Sequence, residues 1–386
     1  MKKFMHLILY IIALIACCIE VDISVPSFPN LVAHFNTSES LAQHTVSINF
    51  LGFFISALII GPLADAYGRR PIMIIGNAIL MIGAIGCVWA PTITTLLLAR
   101  FIQGLGAATS AVVVFAMIAD TCKGNKSTQL IGLMNCVLTC LMASSPIVGS
   151  YLNEAFGWQG SYATVAFICV VSWVLLVLAL PETLSVKKPF YLKGLFNDAK
   201  KLLKNKTFLQ KSIAPSLLYA AYLIFITSAS FVYMQTFKLS MHLYALHQAF
   251  VVAVFALVSL FSGTCLKHAG SSICVRFGIS LSIIGALAFL LVSIVCPSAL
   301  LTTLTVSIFA IGFALFYPPI FTASLEIFPD LRGSAISLVM SKRAVIVALA
   351  TWIMGCFYNG NSARVALVMT IAVGVALLAS VASCRK

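Results

Sequence analysis

Charged residues are scarce in this chain of 386 residues, and acidic ones are the scarcest. Only 9% of the residues are charged, whereas 61% are hydrophobic, and Asp and Glu together number 10. A soluble globular protein needs far more polar surface than this composition supplies. The sequence therefore predicts an integral membrane protein.

The sequence also lacks the motifs of common enzyme classes. It contains no HExxH pattern and no phosphate-binding loop, and its six histidines are scattered. The twelve cysteines form no Cys/His cluster with metal-ligand spacing, so we interpret them as small packing residues. We expect no enzymatic activity, no metal and no cofactor.

Long apolar runs dominate the chain. A helix that crosses a bilayer needs about 20 predominantly apolar residues. On that criterion the sequence predicts an all-α protein with twelve transmembrane helices, near residues 4–31, 41–64, 71–90, 92–119, 127–152, 160–181, 213–237, 245–266, 275–296, 299–325, 334–357 and 362–382.

Lys and Arg residues are concentrated in every second connection between these spans. If the N-terminus is cytoplasmic, only Lys238 and Arg364 of the 24 Lys and Arg residues fall in outer loops, while three lie within spans. Cytoplasmic loops are rich in Lys and Arg, so we expect both termini in the cytoplasm of a multi-pass protein of the bacterial inner membrane. The net charge of +14 then reflects topology, and we expect no nucleic-acid partner.

One long basic connection divides the chain. Residues 182–212 are rich in lysine and contain a pattern typical of a short amphipathic helix on the anionic inner leaflet. The predicted domains are therefore an N-terminal six-helix half, residues 1–181, this cytoplasmic linker, and a C-terminal six-helix half, residues 213–386.

A hairpin sequence occurs once in each half. The segment from Gly61 through Asp65 to Gly68 has the spacing GxxxDxxG, and residues 263–270 repeat it with Lys267 in place of the acid. Glycines permit a sharp turn between two helices. Internal repeats are typical of transporters.

Several of these motifs resemble a known family. The hairpin from Gly61 to Pro71 resembles the loop 2–3 signature of the major facilitator superfamily, and residues 98–108 around Arg100 resemble its helix 4 motif. Pro146 and Gly149 lie in a segment that loosely resembles the antiporter motif of helix 5. Residues 22–29 are similar to helix 1 of the Bcr/CflA branch of drug/proton antiporters.

This resemblance implies two pseudo-symmetric halves that surround a central cavity and rock to open it to either side. It also implies a proton-coupled exporter of a small organic compound, of the drug efflux type, surrounded by membrane lipids. We expect the protein to be a monomer. Two alternatives are export of an endogenous anionic siderophore or metabolite, and proton-driven uptake.

Only two acidic residues, Glu20 and Asp22, lie within a predicted span. Acids inside a bilayer are costly and mark functional sites. They diverge by about 200° on a helix, and we favour Asp22 as the proton site because Pro26 and Pro29 open the helix beside it. Asp22 and Arg100 are expected at about the same depth, so they could form an ion pair or a water-linked network, or a purely structural pair.

Other polar residues within the spans are candidates for the substrate cavity. Gln103 lies on nearly the same face as Arg100, and Tyr219 and Tyr222 could contact a ligand, although packing is the commoner role of such aromatics. Lys342 and Arg343 are adjacent deep in the eleventh span, so we expect one to reach toward the cytoplasm and the other to face the cavity. A cation in the cavity would favour anionic or zwitterionic substrates.

The first hairpin is predicted to carry a conformational latch at the cytoplasmic surface. Asp65 ends the second span and Asp120 ends the fourth span at the same membrane face. Arg69 lies one helical turn after Asp65 in the hairpin. A guanidinium can bridge two carboxylates. The resemblance implies that this latch, with Gly61 and Gly68 shaping the turn, stabilises the outward-facing state.

Overall fold

The computed structural model describes residues 2–121, 125–184, 186–187, 192–328 and 332–384. Throughout these ranges the regular secondary structure is helical. The α-helices are α1 Lys2–Cys18, α2 Phe28–Phe35, α3 Glu39–Tyr67, α4 Arg69–Val88, α5 Ile93–Thr121, α6 Asn125–Phe156, α7 Trp158–Ala179, α8 Leu192–Lys204, α9 Lys206–Phe231, α10 Met241–Ala269, α11 Ser271–Val295, α12 Ala299–Leu325, α13 Arg332–Phe357 and α14 Ser362–Cys384.

The described residues contain 10 helices that are long and apolar enough to cross a membrane. They are α3, α4, α5, α7 and α9 to α14. The all-helical membrane architecture is therefore confirmed. The count of twelve spans and the cytoplasmic position of both termini stay predictions.

The first predicted span, residues 4–31, is interrupted in the structure. α1 ends at Cys18, a turn follows, and a 3-10 helix at Val25–Ser27 leads into α2. Pro26 and Pro29 each occupy one of the first two positions of the helical segment that contains them. Proline lacks a backbone N–H and fits the start of a helix better than its interior, which explains why the helix breaks here.

The two hairpins of the sequence repeat have the same backbone turn. Gly68 alone separates α3 from α4, with φ 111° and ψ 152°. Gly270 alone separates α10 from α11, with φ 81° and ψ 159°. These positive φ values strongly favour glycine. Both turns lie at one end of the helix bundle, called the hairpin end below.

The basic connection contains α8, and α9 begins at Lys206, earlier than the predicted boundary of 212. Asn205 caps α9 by accepting a hydrogen bond from the Phe208 backbone N–H at 2.8 Å. α8 packs on the C-terminal half, where Ser334 Oγ donates to the Asp198 carboxylate at 3.2 Å. The contact of α8 with the inner leaflet stays a prediction.

The two halves meet along α3 and α13. Ser341 Oγ donates to the Phe54 carbonyl at 3.0 Å, and a hydrogen bond of 2.8 Å joins the Ser47 and Thr351 hydroxyls. Ser337 Oγ donates to the Ala57 carbonyl. Small hydroxyl side chains thus join the halves over much of the length of these helices, and individual bonds of this kind contribute only about 0.5–1.5 kcal/mol.

Candidate functional site

Arg100 is the centre of a buried polar cluster in the N-terminal half. It lies in α5, is completely buried, and its Nη1 is 3.6 Å from the Glu20 carboxylate. The guanidinium also donates to Gln103 Oε1 at 2.9 Å and to Ser24 Oγ at 3.1 Å. The Tyr162 ring centroid lies 5.4 Å from the Arg100 guanidinium carbon. This positive charge is therefore neutralised and hydrogen-bonded within the protein.

Asn49 fastens this cluster to α3. Its side-chain amide donates to Glu20 Oε1 and to the Arg100 backbone carbonyl, both at 3.2 Å. An α5 glycine makes this approach possible, since a Cβ on Gly104 would lie 1.9 Å from the Asn49 carbonyl oxygen. The sequence analysis missed Asn49, although an amide within an otherwise apolar span was a usable signal.

The acid beside Arg100 is Glu20, and the direct Asp22–Arg100 ion pair expected from depth is not formed. Asp22 is 4% exposed, and no Lys or Arg in the described ranges lies within 4.0 Å of its carboxylate. The residues on either side of it, Val21 and Val25, pack in the same hydrophobic core as Tyr222 and Tyr244 of the C-terminal half. Arg100 contacts Glu20 and Ser24, which lie on either side of Asp22 in the chain, so the direct pair is absent although Asp22 and Arg100 lie in the same region of the bundle.

The segment that resembles the antiporter motif packs against this break. A Cβ on Gly149 of α6 would lie 2.2 Å from the Ile23 carbonyl oxygen, so only glycine allows this approach. Pro146 lies within α6, and its carbonyl accepts a hydrogen bond from Ser150 Oγ at 2.9 Å. These two residues thus support the broken segment that carries Glu20 and Asp22.

Tyr219 and Tyr222 belong to an aromatic cluster of the C-terminal half. Both ring centroids lie 6.3 Å from that of Phe313, which stacks on Phe255 at 5.3 Å. Tyr219 also contacts Phe50 of the N-terminal half, with ring centroids 6.4 Å apart. The aromatic cluster therefore lies at the interface between the halves, next to the broken first helix.

Lys342 and Arg343 point to different places. The Lys342 ammonium donates to Ser212 Oγ and lies 5.1 Å from the Phe208 ring centroid, toward the start of α9 at the hairpin end. The Arg343 guanidinium donates to the Tyr317 hydroxyl at 2.9 Å and lies over the Tyr219 ring at 4.8 Å. Arg343 therefore joins the aromatic cluster at the interface, whereas Lys342 does not.

The first hairpin carries an ion-pair network. The Arg69 guanidinium is 2.6 Å from the Asp65 carboxylate and 3.0 Å from that of Asp120. Gly61 faces α13, where a Cβ would be in ordinary contact with Ser337 at 3.8 Å. Arg69 thus joins α3, α4 and α5, which is the arrangement expected of the latch.

Glu182, which the sequence analysis did not assign to the latch, completes this network. Its carboxylate accepts hydrogen bonds from the backbone N–H groups of Arg69 at 3.0 Å and Arg70 at 3.2 Å. Partial burial raises the pKa of Glu182, but four backbone N–H groups outweigh it and hold that pKa below its usual range. A Cβ on Gly68 would lie 2.5 Å from Glu182 Oε2, so a side chain there would displace the carboxylate.

The halves also touch at the end of the bundle opposite the hairpins. Asn153 of α6 donates to the Met241 sulfur at 3.3 Å, and Glu154 pairs with His242 of α10 at 2.8 Å. Contacts between the halves therefore occur at this end as well as along α3 and α13.

Comparisons with known proteins agree with this architecture. The chain is 25% identical to the multidrug resistance protein MdtM of Escherichia coli K12 over 368 residues, which cover 92% of this chain and 87% of that protein. It is 28% identical to the multidrug resistance protein MdtL of Shigella dysenteriae over 239 residues, which cover 62% and 61%.

A solved structure with a similar fold is the xylose transporter XylE from E. coli, in a partially occluded inward-open conformation. Its TM-score is 0.77 at 14% identity, with 98% of this chain and 97% of that chain covered. The family model described as Major Facilitator Superfamily matches residues 10–351. The chain belongs to the major facilitator superfamily.

Proposed function

We propose that this protein is a proton-coupled exporter of small organic molecules, of the multidrug efflux type, in the bacterial inner membrane. The similarity to MdtM over 92% of the chain supports this function. The observation that carries the coupling hypothesis is the break in the first helix. There Glu20 is paired with Arg100, while Asp22 lies in a segment that packs against the C-terminal half and has no cation within 4.0 Å in the described residues.

Asp22 is the better proton site on this geometry. A buried carboxylate without a counter-ion is costly, and a proton or a cationic group of a substrate can remove that cost. Glu20 already has the guanidinium of Arg100 and the amide of Asn49 as partners. Protonation of Asp22 from outside would release substrate, and loss of that proton to the cytoplasm would allow substrate to bind again.

The latch would act on the conformational change rather than on the proton. Asp65, Arg69 and Asp120 join three helices of the N-terminal half, and Glu182 attaches the end of α7 to the same hairpin. We expect these charge-assisted bonds to stabilise the conformation that is closed at the cytoplasmic side. The individually weak hydroxyl contacts between α3 and α13 would then separate or slide as the halves rock.

The test is transport by purified protein in liposomes. Radiolabelled chloramphenicol, a neutral probe, should be driven by an imposed pH gradient in the wild type, and Asp22→Asn should abolish this drive while binding persists. Glu20→Gln, two residues away in the same break, is the matched comparison. It leaves Arg100 without a counter-ion, so its folding is verified by thermal unfolding, and the folded variant should retain the drive. Gradient-driven transport by Asp22→Asn at the wild-type rate, or none by the wild type, would refute the proposal.

A second candidate is export of an endogenous anionic siderophore or metabolite. Arg343 favours it, because no carboxylate in the described ranges lies within 4.0 Å of its guanidinium. This candidate predicts that anionic probes are moved faster than neutral ones. The same liposomes also measure the direction of flux, and accumulation of the probe together with protons would indicate uptake by symport instead.

A further inference from the structure

The Arg343 guanidinium is held by two uncharged partners at the interface between the halves. The Tyr317 hydroxyl accepts one hydrogen bond at 2.9 Å, and the Tyr219 ring lies 4.8 Å away on one face. These contacts orient the guanidinium but do not neutralise it. A guanidinium has five N–H donors, so most of its hydrogen-bonding capacity is not used by Tyr317.

Arg100, in contrast, has a counter-ion within the protein. It is completely buried, has Glu20 as a counter-ion, and donates to Gln103 and Ser24. Arg343 is only half-buried, and in the part of the chain that the structure describes it has no acidic partner. A cation placed among aromatic rings without a counter-ion is suited to an anion that comes from outside the chain.

The neighbouring cation does not contribute to this site. Lys342 reaches away from the aromatic cluster to Ser212 and the Phe208 ring. The anion subsite therefore contains one positive charge, and Lys342 offers a matched control one residue away on the same helix.

The negative charge of Asp22 lies in a segment that packs beside the aromatic cluster. Val21 and Val25, on either side of Asp22 in the chain, belong to the same hydrophobic core as Tyr222, and Tyr219 packs against that core. Asp22 is 4% exposed and, like Arg343, has no oppositely charged side chain within 4.0 Å among the described residues. Phe50 and Phe313 extend the aromatic surface around Tyr219, one from each half. The interface thus presents an acid and a base, each without a counter-ion, beside one aromatic surface.

We propose that the substrates of this protein are aromatic zwitterions whose anionic group binds Arg343, whose ring packs on Tyr219, and whose cationic group lies at Asp22. This inference rests on the proposed transport function and names its substrate class. It follows that a proton on Asp22 displaces only the cationic end of the substrate, while the anionic end stays with Arg343 until the halves separate.

The experiment uses four forms of one aromatic molecule that differ in charge. Norfloxacin is a zwitterion near neutral pH, its ethyl ester is a cation, N-acetylnorfloxacin is an anion, and the N-acetyl ethyl ester is neutral. Binding to the purified full-length chain in lipid nanodiscs is followed by quinolone fluorescence, without a pH gradient. Charge-assisted hydrogen bonds are stronger than neutral ones, so we expect the zwitterion to bind about tenfold or more tightly than the cation or the anion.

Variants assign each end of the ligand. Arg343→Gln should weaken the binding of norfloxacin about tenfold and leave the binding of its ethyl ester unchanged. The preference for the compound with a free carboxylate would then be lost. Asp22→Asn should remove the preference for norfloxacin over its N-acetyl form. Lys342→Gln, the control, should keep the wild-type order of affinities, and thermal unfolding verifies that each variant is folded.

Two outcomes overturn the inference. One is a wild type that binds the ethyl ester as tightly as norfloxacin. The other is an Arg343→Gln variant that weakens the zwitterion and the ester equally, as expected if Arg343 only supports the fold. Failure of the proposed function would give a different result. The four compounds would bind in the expected charge-dependent order, but a pH gradient would not drive transport of the zwitterion. Gradient-driven transport of norfloxacin at the same rate by the wild type and by Arg343→Gln would refute only the inference.

Discussion

The two halves carry similar hairpins and one deep arginine each, but they differ in whether these cations have carboxylate partners. In the N-terminal half, Arg69 is paired with Asp65 and Asp120, and Arg100 is paired with Glu20. In the C-terminal half, Arg343 has only tyrosine partners, and no carboxylate in the described ranges lies within 4.0 Å of the exposed Lys267 in the second hairpin.

This difference separates what the fold needs from what transport needs. Both hairpins have a glycine with positive φ, so the turn is a requirement of the backbone. Only the first hairpin adds the acidic residues that pair with Arg69, so the proposed latch is an addition to that turn. The N-terminal half supplies carboxylates to Arg69 and Arg100, whereas the partners of Arg343 and Lys342 among the described residues are uncharged.

The largest expected difference is in stability, between variants at Arg100 and at Arg343. Arg100→Gln leaves Glu20 as a buried unpaired charge, which should lower the free energy of unfolding by about 3–5 kcal/mol. Arg343→Gln removes one hydrogen bond and one cation–π contact, which should cost only about 1 kcal/mol. Unfolding in detergent measures both. The double variant Glu20→Gln with Arg100→Gln should recover part of the loss, and equal losses for the two single variants would contradict the comparison.

A smaller effect is expected where Gly149 meets the broken helix. Gly149→Ala would force apart α6 and the Ile23 carbonyl, with a cost of about 1–3 kcal/mol and a loss of transport. Gly263→Ala in the C-terminal half is the matched control, since a Cβ there meets nothing within 4 Å. It should be neutral or stabilising by up to about 1 kcal/mol because alanine favours a helix. Equal melting temperatures for the two variants would show that the close approach is unimportant.

The two hairpins should also differ in transport. Arg69→Gln removes the bridge between Asp65 and Asp120, and we expect transport to fall about tenfold because charge-assisted bonds of this kind contribute about 1.5–3 kcal/mol. Lys267→Gln in the second hairpin should change the rate less than about twofold, since its charge is exposed. Initial rates in liposomes, normalised to the amount of reconstituted protein, decide the matter. A similar loss in both variants would mean that each hairpin acts as a latch.

The smallest effect should be a pH-dependent one at Glu182. Its pKa is lower in the folded protein than in an unfolded chain, so its stabilising contribution is present above the unfolded pKa and is lost as pH falls through the folded pKa. The difference in melting temperature between the wild type and Glu182→Gln should therefore be constant from about pH 7 to pH 5 and shrink below about pH 4. Lys267→Gln should show no such trend, and a difference that grows on acidification would contradict this account.

Local sequence signals predicted the features that depend on neighbouring residues. The apolar runs predicted the helices because backbone groups in a bilayer must be satisfied within each segment. The paired glycines predicted both turns, and Pro26 and Pro29 predicted where the first helix opens. The α9 boundary was wrong because Asn205 caps the helix earlier than the lysine-rich composition suggested.

The partners of the deep charges could not be predicted in this way. Counting residues along an ideal helix placed Asp22 level with Arg100 and allowed an ion pair, but the side chains nearest Arg100 are those of Glu20 and Ser24. Asn49 and Glu182 were missed because each acts through atoms far away in the chain, and a single sequence does not record which segments become neighbours.

The sequence by itself determined that this is a helical membrane protein, since bilayer thickness, proline and glycine act over a few residues at a time. Only the tertiary structure decided which charges meet their counter-ions. Ion pairs within the bilayer depend on the rotation of each helix and on distances of a few ångströms, and these follow from packing between helices. That packing gave Arg100 a carboxylate and left Arg343 facing the interface with tyrosines.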